Sequence, residues 1–527
     1  MLFSCARVGA PNGGTRDSLA PKFLGSNIDT TRLNVSRTVK ELRLDFDEYV
    51  MLKDFNKNFN VSPPIKKIKK VIPSNLANKY VLIQWEDTLQ ANTTYNFNFG
   101  NAIVDNNESN PLPYFNFAFS TGDKIDDLFV SGTVKDAMTL IKENQTAKDN
   151  KMVVGLYKAG ENLDYKQKPD YITKVDEENY FELNFLPKGE FVIIAFDDEN
   201  QNSVYDAGKE KVSFLKEKIT LDSTSVRGLK LKLYPSKKVV KYKESKAING
   251  GLLMTFEGNP ETVEVKSLSE ELKDFKVTHA KRSDSVNIWF DAEKSNLGGT
   301  VSKQLKLSYF TPTISDTISV SYKAVKEEFK LSNEAGNLIA PENNFVINTS
   351  LPIENLNTSS WKLESDSIAQ DFTAKISEKN PFKILVNSSF KPTKKYVLTI
   401  PKETVSSYYS SNDKSFQFQF EIDKPENYGS FTAVIKNKPT AKFWVELTNE
   451  KGEILYSQFT NASEVSFKNL KPATYIARIR VDNNGNGFWD EADFAQNIAA
   501  EDVYIFEKEI NVRPLWEIKE DWELINH

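Results

Sequence analysis

The sequence predicts an all-β protein built from tandem β-sandwich modules, with little helix. The chain has 527 residues, which is too long for one hydrophobic core. It contains 35 Phe and 20 Tyr, and aromatic residues favour strands. Segments 42–46, 95–99 and 115–119 alternate apolar with polar residues, which is the pattern of a strand with one buried face. We therefore expect several small domains, each made of packed sheets.

Two internal repeats support this division. Residues 89–95 and 390–396 share a faint pattern that ends in an aromatic Tyr before an alternating strand. The stronger repeat relates 186–206 to 470–490, at a constant offset of 284 positions without a gap. Its matching pairs are Leu186 and Leu470, Phe191 and Tyr475, Asp198 and Asp482, Asn200 and Asn484, Asn202 and Asn486, Tyr205 and Trp489, and Asp206 and Asp490. Repetition at this precision indicates duplicated structural units.

The repeats and the turn residues between strand patterns set the expected boundaries. Each of the five central pieces has the size of a small sandwich, about 100 residues. The predicted parts are a signal remnant and tether (1–19), an Ig-like domain (20–122), a transthyretin-like domain (126–235), a divergent β-sandwich (236–330), a divergent Ig-like domain (331–423), a second transthyretin-like domain (426–515) and a tail with tryptophans (516–527).

Charge and rare residues exclude several function classes. The 68 basic and 73 acidic residues are well mixed, which gives no footprint for nucleic acid. A basic run at 66–70 is expected on the edge of a sheet, where lysine blocks unwanted strand pairing. With two His and one Cys, the chain lacks material for Ser-His-Asp, Cys-His or His-based zinc chemistry. We expect no enzyme, although a hydrolase that uses carboxylates alone stays open.

The single cysteine lies near the start of the chain, in the order Met1, Leu2, Phe3, Ser4, Cys5. This order resembles the lipobox of bacterial lipoproteins, which implies a lipid on Cys5 and a membrane anchor. The following residues, 6–22, are polar and rich in Gly and Pro, as a flexible tether should be. The apolar stretch of a signal peptide is missing, so we expect Met1 to lie inside a longer signal. The alternative is that Met1 is the true start and the protein is cytosolic.

Two acidic loops are candidate calcium sites. Asp482, Asn484, Asn486, Asp490 and Asp493 fall at positions 1, 3, 5, 9 and 12 of a calcium loop, with Gly487 at position 6 and the Phe488 carbonyl at position 7. The earlier loop, a weaker match, offers Asp198, Asn200, Asn202, Val204, Asp206 and Glu210, with Ser203 in place of the glycine. Bound calcium would have a structural role. A polar β-hairpin connection without metal is the alternative.

Family resemblances follow from these segments. Residues 92–95, 101–110 and 119–123 resemble the bacterial Ig-like domains first known from S-layer proteins, and the fourth module resembles a divergent copy. Residues 130–134 and 185–191 resemble transthyretin-like domains, also found as carboxypeptidase regulatory domains. The whole arrangement is similar to Ig-like-domain lipoproteins of the Bacteroidota, which implies a lipid-anchored location at the outer membrane.

The resemblance implies a non-enzymatic scaffold that binds other outer-membrane or envelope proteins, with a role beside outer-membrane protein assembly or secretion machinery as the finer expectation. Sheet edges suit such binding because they accept added strands. The alternative function is a surface glycan-binding or adhesive protein, which needs exposed aromatic platforms. We expect Trp289, Trp361 and Trp444 in cores, and the tail tryptophans to cap the last sandwich rather than to dock a partner.

Overall fold

A computed structural model describes residues 17–140, 151–160, 163–334 and 336–524. In these residues the chain forms strands almost throughout, with one four-residue helix, α1 (Phe55–Asn58), and two 3-10 turns at Thr358–Ser360 and Pro425–Asn427. The predicted all-β class is confirmed. None of the described helices is long and apolar enough to cross a membrane. The described residues divide into two compact units: the first holds those from Asp17 to Ser236 together with Asp490–Ala500, and the second holds Lys237–Trp489 together with those from Glu501 to Leu524.

The first region, residues 17–122, contains β1 (Phe23–Ser26), β2 (Glu41–Leu52), β3 (Asn60–Ser62), β4 (Ile68–Ile72), β5 (Asn78–Trp85), β6 (Thr94–Gly100), β7 (Ile103–Asp105) and β8 (Phe115–Ser120). One sheet has the order β1-β2-β5-β4, with β7 also paired to β2, and the other has the order β3-β6-β8. Their inner faces form one core that includes Leu44 and Phe97. The basic run ends on β4, an edge strand with Lys69 and Lys70 exposed, as expected.

The second region contains β9 (Leu128–Asp136), β10 (Met152–Lys158), β11 (Tyr171–Lys174), β12 (Tyr180–Leu186), β13 (Gly189–Asp197), β14 (Val212–Phe214), β15 (Ile219–Leu221) and β16 (Val226–Leu233). One sheet has the order β11-β10-β13-β14, with β15 also paired to β13, and the other has the order β12-β9-β16. The pair of β9 and β16 is parallel, whereas the other pairs of this region are antiparallel. Both sheets supply one core.

The third region contains β17 (Lys241–Ile248), β18 (Gly251–Glu257), β19 (Glu264–Ser267), β20 (Lys276–His279), β21 (Ser285–Trp289), β22 (Lys303–Phe310) and β23 (Ser315–Tyr322). Its sheets have the orders β17-β18-β21-β20 and β19-β22-β23. Residues 269–275 form an irregular connection between β19 and β20. This region is therefore a seven-stranded sandwich with its own core.

The fourth region contains β24 (Leu331–Asn333), β25 (Leu338–Ile339), β26 (Phe345–Thr349), β27 (Asn355–Leu356), β28 (Lys362–Ser365), β29 (Ile368–Ala369), β30 (Phe372–Ser377), β31 (Asn380–Ser388), β32 (Lys395–Ile400), β33 (Val405–Ser406) and β34 (Phe416–Ile422). The two main sheets have the orders β24-β26-β31-β30 and β25-β34-β32-β28-β29, and β27 pairs with β33. Their shared core includes Ile347 and Leu398.

The fifth region contains β35 (Gly429–Lys436), β36 (Phe443–Thr448), β37 (Ile454–Thr460), β38 (Glu464–Leu470), β39 (Ala473–Val481), β40 (Val503–Ile505), β41 (Ile510–Val512) and β42 (Glu517–Glu523). Its sheets have the orders β37-β36-β39-β40, with β41 also paired to β39, and β38-β35-β42. The pair of β35 and β42 is parallel. Strand for strand, β35 to β42 reproduce the topology of β9 to β16.

The first and fourth regions also correspond. The sheet order β1-β2-β5-β4 matches β24-β26-β31-β30. In addition, the turns that precede the central strands β6 and β32 have the same hydrogen bond. The hydroxyl of Tyr95 accepts a hydrogen bond from Gln90 N, and the hydroxyl of Tyr396 accepts one from Lys391 N, both at 2.8 Å. A tyrosine that bonds upstream backbone in this way fixes the corner between two strands of a sandwich. The faint sequence repeat therefore corresponds to a repeated corner.

Two predicted boundaries need correction. Residues 517–523 are not a tail after the last sandwich: they form β42, and Trp522 is buried against Phe506 with ring centroids 5.3 Å apart. Residues 490–500, which the sequence places in the last module, group with the first unit, where Phe494 packs among Tyr165, Tyr205 and Phe214. Both differences from the predicted boundaries arise from packing between segments that are far apart in the chain, which the periodicity of a single strand does not encode. The other module boundaries stay predictions.

Candidate functional site: the two acidic loops

Each acidic loop begins where a long central strand ends. Asp198 follows β13 and Asp482 follows β39, and both carboxylates are almost fully buried, at 4% and 3% exposure. Burial of a carboxylate is costly unless hydrogen bonds compensate it. The loop backbone provides those bonds.

The two aspartates hold their loops with the same pair of hydrogen bonds. Asp198 Oδ1 accepts from Asn202 N and Oδ2 accepts from Ser203 N, each at 3.0 Å. Asp482 Oδ1 accepts from Asn486 N and Oδ2 accepts from Gly487 N, again each at 3.0 Å. The offset of 284 positions in the sequence is thus a repeated three-dimensional motif.

The first asparagine of each loop directs its side-chain oxygen to the same backbone N–H as the aspartate does. Asn202 N lies 3.0 Å from both Asp198 Oδ1 and Asn200 Oδ1. The later loop repeats this contact: Asn486 N lies 3.0 Å from both Asp482 Oδ1 and Asn484 Oδ1. In each loop two side-chain oxygens therefore accept from one backbone N–H. Oxygen donors are those that calcium prefers, so the donor chemistry fits this ion.

The third oxygen of each loop bonds to the residue two positions later. Asn202 Oδ1 accepts from Val204 N at 2.6 Å, and Asn486 Oδ1 accepts from Phe488 N at 2.7 Å. The ring of Phe488 packs beneath two cations of the third region, Lys281 at 5.1 Å and Arg282 at 4.7 Å. This cation–π contact fixes the outer end of the later loop, and nothing in the local sequence predicts it.

The earlier loop bears more backbone strain than the later one. Gln201 and Ser203 have φ of 58° and 61°, and the equivalent Gly485 and Gly487 have φ of 73° and 81°. A side chain in the left-handed region is disfavoured by about 1–2 kcal/mol, and glycine avoids this cost. The glycines of the later loop therefore suit its conformation better than the residues of the earlier one.

Glu210 closes the earlier loop. Its Oε1 accepts from Glu199 N at 3.0 Å and its Oε2 accepts from Asp206 N at 2.9 Å. Burial, with the nearby charges of Asp198 and Asp206, raises the pKa of Glu210 to about 7. The structure gives Glu210 a role in holding the loop backbone, and its role as a calcium ligand stays a prediction.

Glu501 has a similar role in the later loop, where its Oε1 accepts from Asn484 N at 3.1 Å. This residue is buried and follows the loop in the chain. It was missed by the sequence analysis, because no repeat relates it to Glu210. Only the fold brings it back to the start of the loop.

The last two predicted ligands of the later loop, Asp490 and Asp493, fall in the segment that groups with the first unit. Asp493 Oδ1 accepts from Gln496 N at 3.2 Å, within its own turn. In the part of the chain that the structure describes, no group of three or more His, Cys, Asp or Glu side chains is arranged to hold a metal ion. Calcium binding through the asparagine and carbonyl oxygens of the loops stays a prediction.

Among the other residues that the sequence singled out are a cysteine, a histidine and two tryptophans. Cys5, the predicted lipidation site, lies outside the described residues. His279 Nε2 lies 3.0 Å from Ser283 O, at a turn between strands. Trp289 and Trp361 are buried, as expected, and their Nε1 atoms donate to Thr278 and Thr404 hydroxyls.

The core prediction for Trp444 is wrong. Its ring lies half-buried on the outer face of the sheet β37-β36-β39-β40 and stacks on Phe459 with centroids 4.4 Å apart. Arg480 lies 5.8 Å from the Trp444 ring and 5.9 Å from the Trp489 ring. Strand alternation is compatible with either face for a tryptophan, and here the opposite face holds Phe443 and Val445. The result is an aromatic surface that the sequence analysis did not anticipate.

Beneath this surface lies a buried ion-pair network. Glu446 is fully buried, and its Oε2 accepts from Arg478 Nη2 at 2.7 Å. Its Oε1 accepts from Arg480 Nη2 at 2.5 Å. Two arginines hold one carboxylate, so the buried negative charge of Glu446 is compensated.

The first region of the chain is similar to a known domain family. Residues 17–121 match a bacterial Ig-like domain. This Ig-like domain covers the two sheets from β1 to β8, and it confirms the Ig-like part of the resemblance seen in the sequence. The match spans about a fifth of the chain, so it assigns no family to the remaining regions.

Comparisons with whole proteins do not extend this similarity beyond the first region. No functionally curated protein matches the chain significantly. Similar solved structures include the S-layer protein rSbsC(31-844) (12% identity, 94% of this chain and 67% of that chain, TM-score 0.15), the Bacillus anthracis TIE protein (11%, 97% and 75%, 0.13) and BcpA, the major pilin subunit of Bacillus cereus (10%, 76% and 99%, 0.14). TM-scores this low carry no argument about fold or function.

Proposed function

We propose that the protein is a non-enzymatic interaction scaffold, anchored to the outer membrane by a lipid on Cys5, which presents sandwich surfaces and sheet edges to envelope proteins. The proposal is carried by the observation that the described chain consists of successive β-sandwiches. Across the described residues, paired sheets with separate cores follow one another, and two topologies occur twice. Repeated sandwiches provide spacing and edges, which is the material for binding by strand addition.

A finer form of the proposal makes the protein an accessory of outer-membrane protein assembly or secretion machinery. Its support is the resemblance of residues 5–235 to Ig-like-domain lipoproteins of the Bacteroidota. Affinity capture of the full chain from detergent-solubilised membranes tests the scaffold. We expect one or a few envelope proteins to be recovered at near-stoichiometric amounts. Recovery of the chain alone, in repeated extractions with different mild detergents, would contradict the scaffold function.

The anchor is tested separately. We expect a clickable fatty acid fed to the cells to label the wild-type protein, and the Cys5→Ser variant to lose both the label and its place in the membrane fraction. A membrane fraction that retains Cys5→Ser in full would contradict the anchor, and would leave the scaffold function to be judged by the capture experiment.

A surface glycan-binding function is the second candidate, because Trp444 and Phe459 form a half-exposed stacked pair rather than core. Aromatic faces bind sugars through apolar contact, and this pair lies on the outer face of a sheet. Retention of the full chain on immobilised envelope polysaccharide, lost in Trp444→Ala, would favour this function. Equal elution of both proteins in the void volume would exclude it.

We further propose structural calcium in the acidic loops, with Asp482, Asn484 and Asn486 as the main ligands and Asp198, Asn200 and Asn202 in the weaker site. The concentration of carboxylate and amide oxygens in each loop supports this proposal, because these are the ligands that calcium prefers. Calcium would stiffen the connection after β39 and supplies no reaction step.

Calorimetric titration of the chelator-treated full chain with Ca²⁺ tests the loops. We expect saturable binding that Asp482→Asn weakens and that the exposed control Asp521→Asn leaves unchanged. Asn keeps one acceptor oxygen for the loop backbone, so this variant should fold. Titration without heat, and a melting curve indifferent to chelator, would show that the loops are metal-free polar connections.

A further inference from the structure

The edge strand β37 of the fifth region lacks the charges and prolines that normally protect a sheet edge, although it has one register irregularity, at Leu455. It is the terminal strand in the order β37-β36-β39-β40, and among the described residues no strand pairs with its other side. Its seven residues, Ile454–Thr460, include no charged residue and no proline. An exposed edge of this kind is a template for pairing with another strand.

Other edges of this protein carry lysines. The edge strand β4 presents Lys69 and Lys70, and the edge strand β17 includes Lys241, Lys243 and Lys246. On β37 three of the five exposed positions are large apolar residues instead: Ile454, Leu455 and Phe459 are 46%, 49% and 44% exposed, beside the uncharged Ser457 and Gln458. Solvent exposure of three large apolar side chains on one short strand indicates a surface that another strand covers.

The pattern of β37 is complementary to itself. Opposite Leu447 and Thr448 the strand has a register irregularity, so Ile454 and Leu455 share one pairing position. If two copies of the strand pair in antiparallel orientation about Ser457, this shared position of each copy lies opposite Phe459 of the other, and Tyr456 lies opposite Gln458. The register sets apolar residues against apolar residues, and such cross-strand pairs stabilise a sheet. From this symmetry we propose that β37 pairs with β37 of a second copy of this chain and makes a continuous sheet across a two-fold axis.

The charge of the edge favours a second copy as the occupant. Strand β37 contains no charged residue, and Lys442, which precedes the neighbouring strand β36, lies over the Phe459 ring of its own sheet at 5.6 Å. The uncharged strand itself offers no repulsion between identical copies.

This inference stands independently of the scaffold function, because it concerns the contact between copies and not the envelope partner. Sedimentation equilibrium of the full-length Cys5→Ser chain tests it. We expect a monomer–dimer equilibrium, with Phe459→Lys and Leu455→Lys each raising the dissociation constant at least about tenfold. The control is Phe310→Lys, which replaces a Phe of similar exposure, 41%, on a central strand of the third region and should leave the equilibrium unchanged.

Disulfide trapping supplies the geometric readout. In paired antiparallel strands opposed Cα atoms lie about 4.5–5.5 Å apart, within the range that a disulfide spans. In the Cys5→Ser background we expect Ser457→Cys to form a covalent dimer on mild oxidation, and Ser315→Cys, an exposed position on the edge strand β23, to remain monomeric.

A chain that stays monomeric to about 100 μM, the range of very weak association, would overturn the proposal. So would a dimer that Phe459→Lys and Leu455→Lys leave intact, or equal cross-linking of the two cysteine variants, because these results would place the contact elsewhere. Unchanged melting temperatures of the variants establish that they fold.

Discussion

Asp198 and Asp482 show how one side chain determines a local backbone. Each carboxylate accepts hydrogen bonds from two backbone N–H groups of the loop that follows the strand, where no neighbouring strand among the described residues is present to accept them. Ser203 and Gly487 occupy the equivalent bend with positive φ. The glycine could be understood from the sequence, since it is the residue that this bend favours. The strain at Ser203 could not, because it requires knowledge that the bend is retained.

Glu446 is the residue whose loss should cost most. Its partners Arg478 and Arg480 lie on the neighbouring strand β39, and removal of the carboxylate would leave a buried arginine without its counter-charge. We expect Glu446→Ala to lower the free energy of unfolding by about 3–5 kcal/mol. Chemical denaturation measured by fluorescence checks this value.

The matched control is Glu464→Ala, which breaks the exposed pair with Lys519 and should cost less than about 1 kcal/mol. Equal losses in the two variants would contradict the importance of the buried network. The sequence did not reveal this network, because Glu446 occupies a position that strand alternation assigns to solvent.

Glu210 should make stability depend on pH. Its pKa is raised to about 7 in the folded state, from an ordinary value of 4.5. Between these two values the folded protein holds a proton that the unfolded chain releases, so this contribution to stability is present at low pH and is lost as pH rises. We expect the free energy of unfolding of Glu210→Gln, relative to that of the wild type, to be lower at pH 5 than at pH 8.

Urea unfolding of both proteins at the two pH values, in the presence of chelator, measures this difference. Chelator is needed because a cation beside Asp198 and Asp206 would lower the pKa of Glu210. A stability difference that is the same at pH 5 and pH 8 would show that Glu210 does not titrate in this range.

At the scale of elements, β42 completes the fifth sandwich. It pairs in parallel with β35, as β16 pairs with β9, and Trp522 on it enters the core. The sequence repeat predicted the shared loops but not this strand, since 516–522 has no matching letters in the second region. Parallel pairing with a strand far away in the chain leaves no local signal. The tail was therefore separated from its module until the topology was known.

Trp522→Ala should lower the free energy of unfolding by about 3–5 kcal/mol, because it removes a buried aromatic side chain. Trp516→Ala should have an effect of about 0.5 kcal/mol or less, since the Trp516 side chain is 48% exposed. Thermal and urea unfolding of both variants compare the two positions. Equal, small effects would place the segment outside the sandwich core.

At the scale of the whole molecule, the sequence predicted the all-β class and the two repeats, because alternation and duplicated loops are local patterns. It did not predict that residues 490–500 would group with the first unit. Phe494 is an ordinary apolar residue in the sequence, and its contacts with Tyr165 and Phe214 depend on residues far away in the chain. Fold class is thus encoded locally here, whereas the grouping of segments is not.

The central claim is that these sandwiches serve to bind other envelope proteins. Cross-linking of intact cells with a lysine-reactive reagent, followed by mass spectrometry, tests it in the native setting. We expect abundant links from surface lysines such as Lys69, Lys241 and Lys519 to one or a few envelope proteins. Links confined to the chain itself, with no protein partner enriched over a Cys5→Ser strain, would contradict the claim.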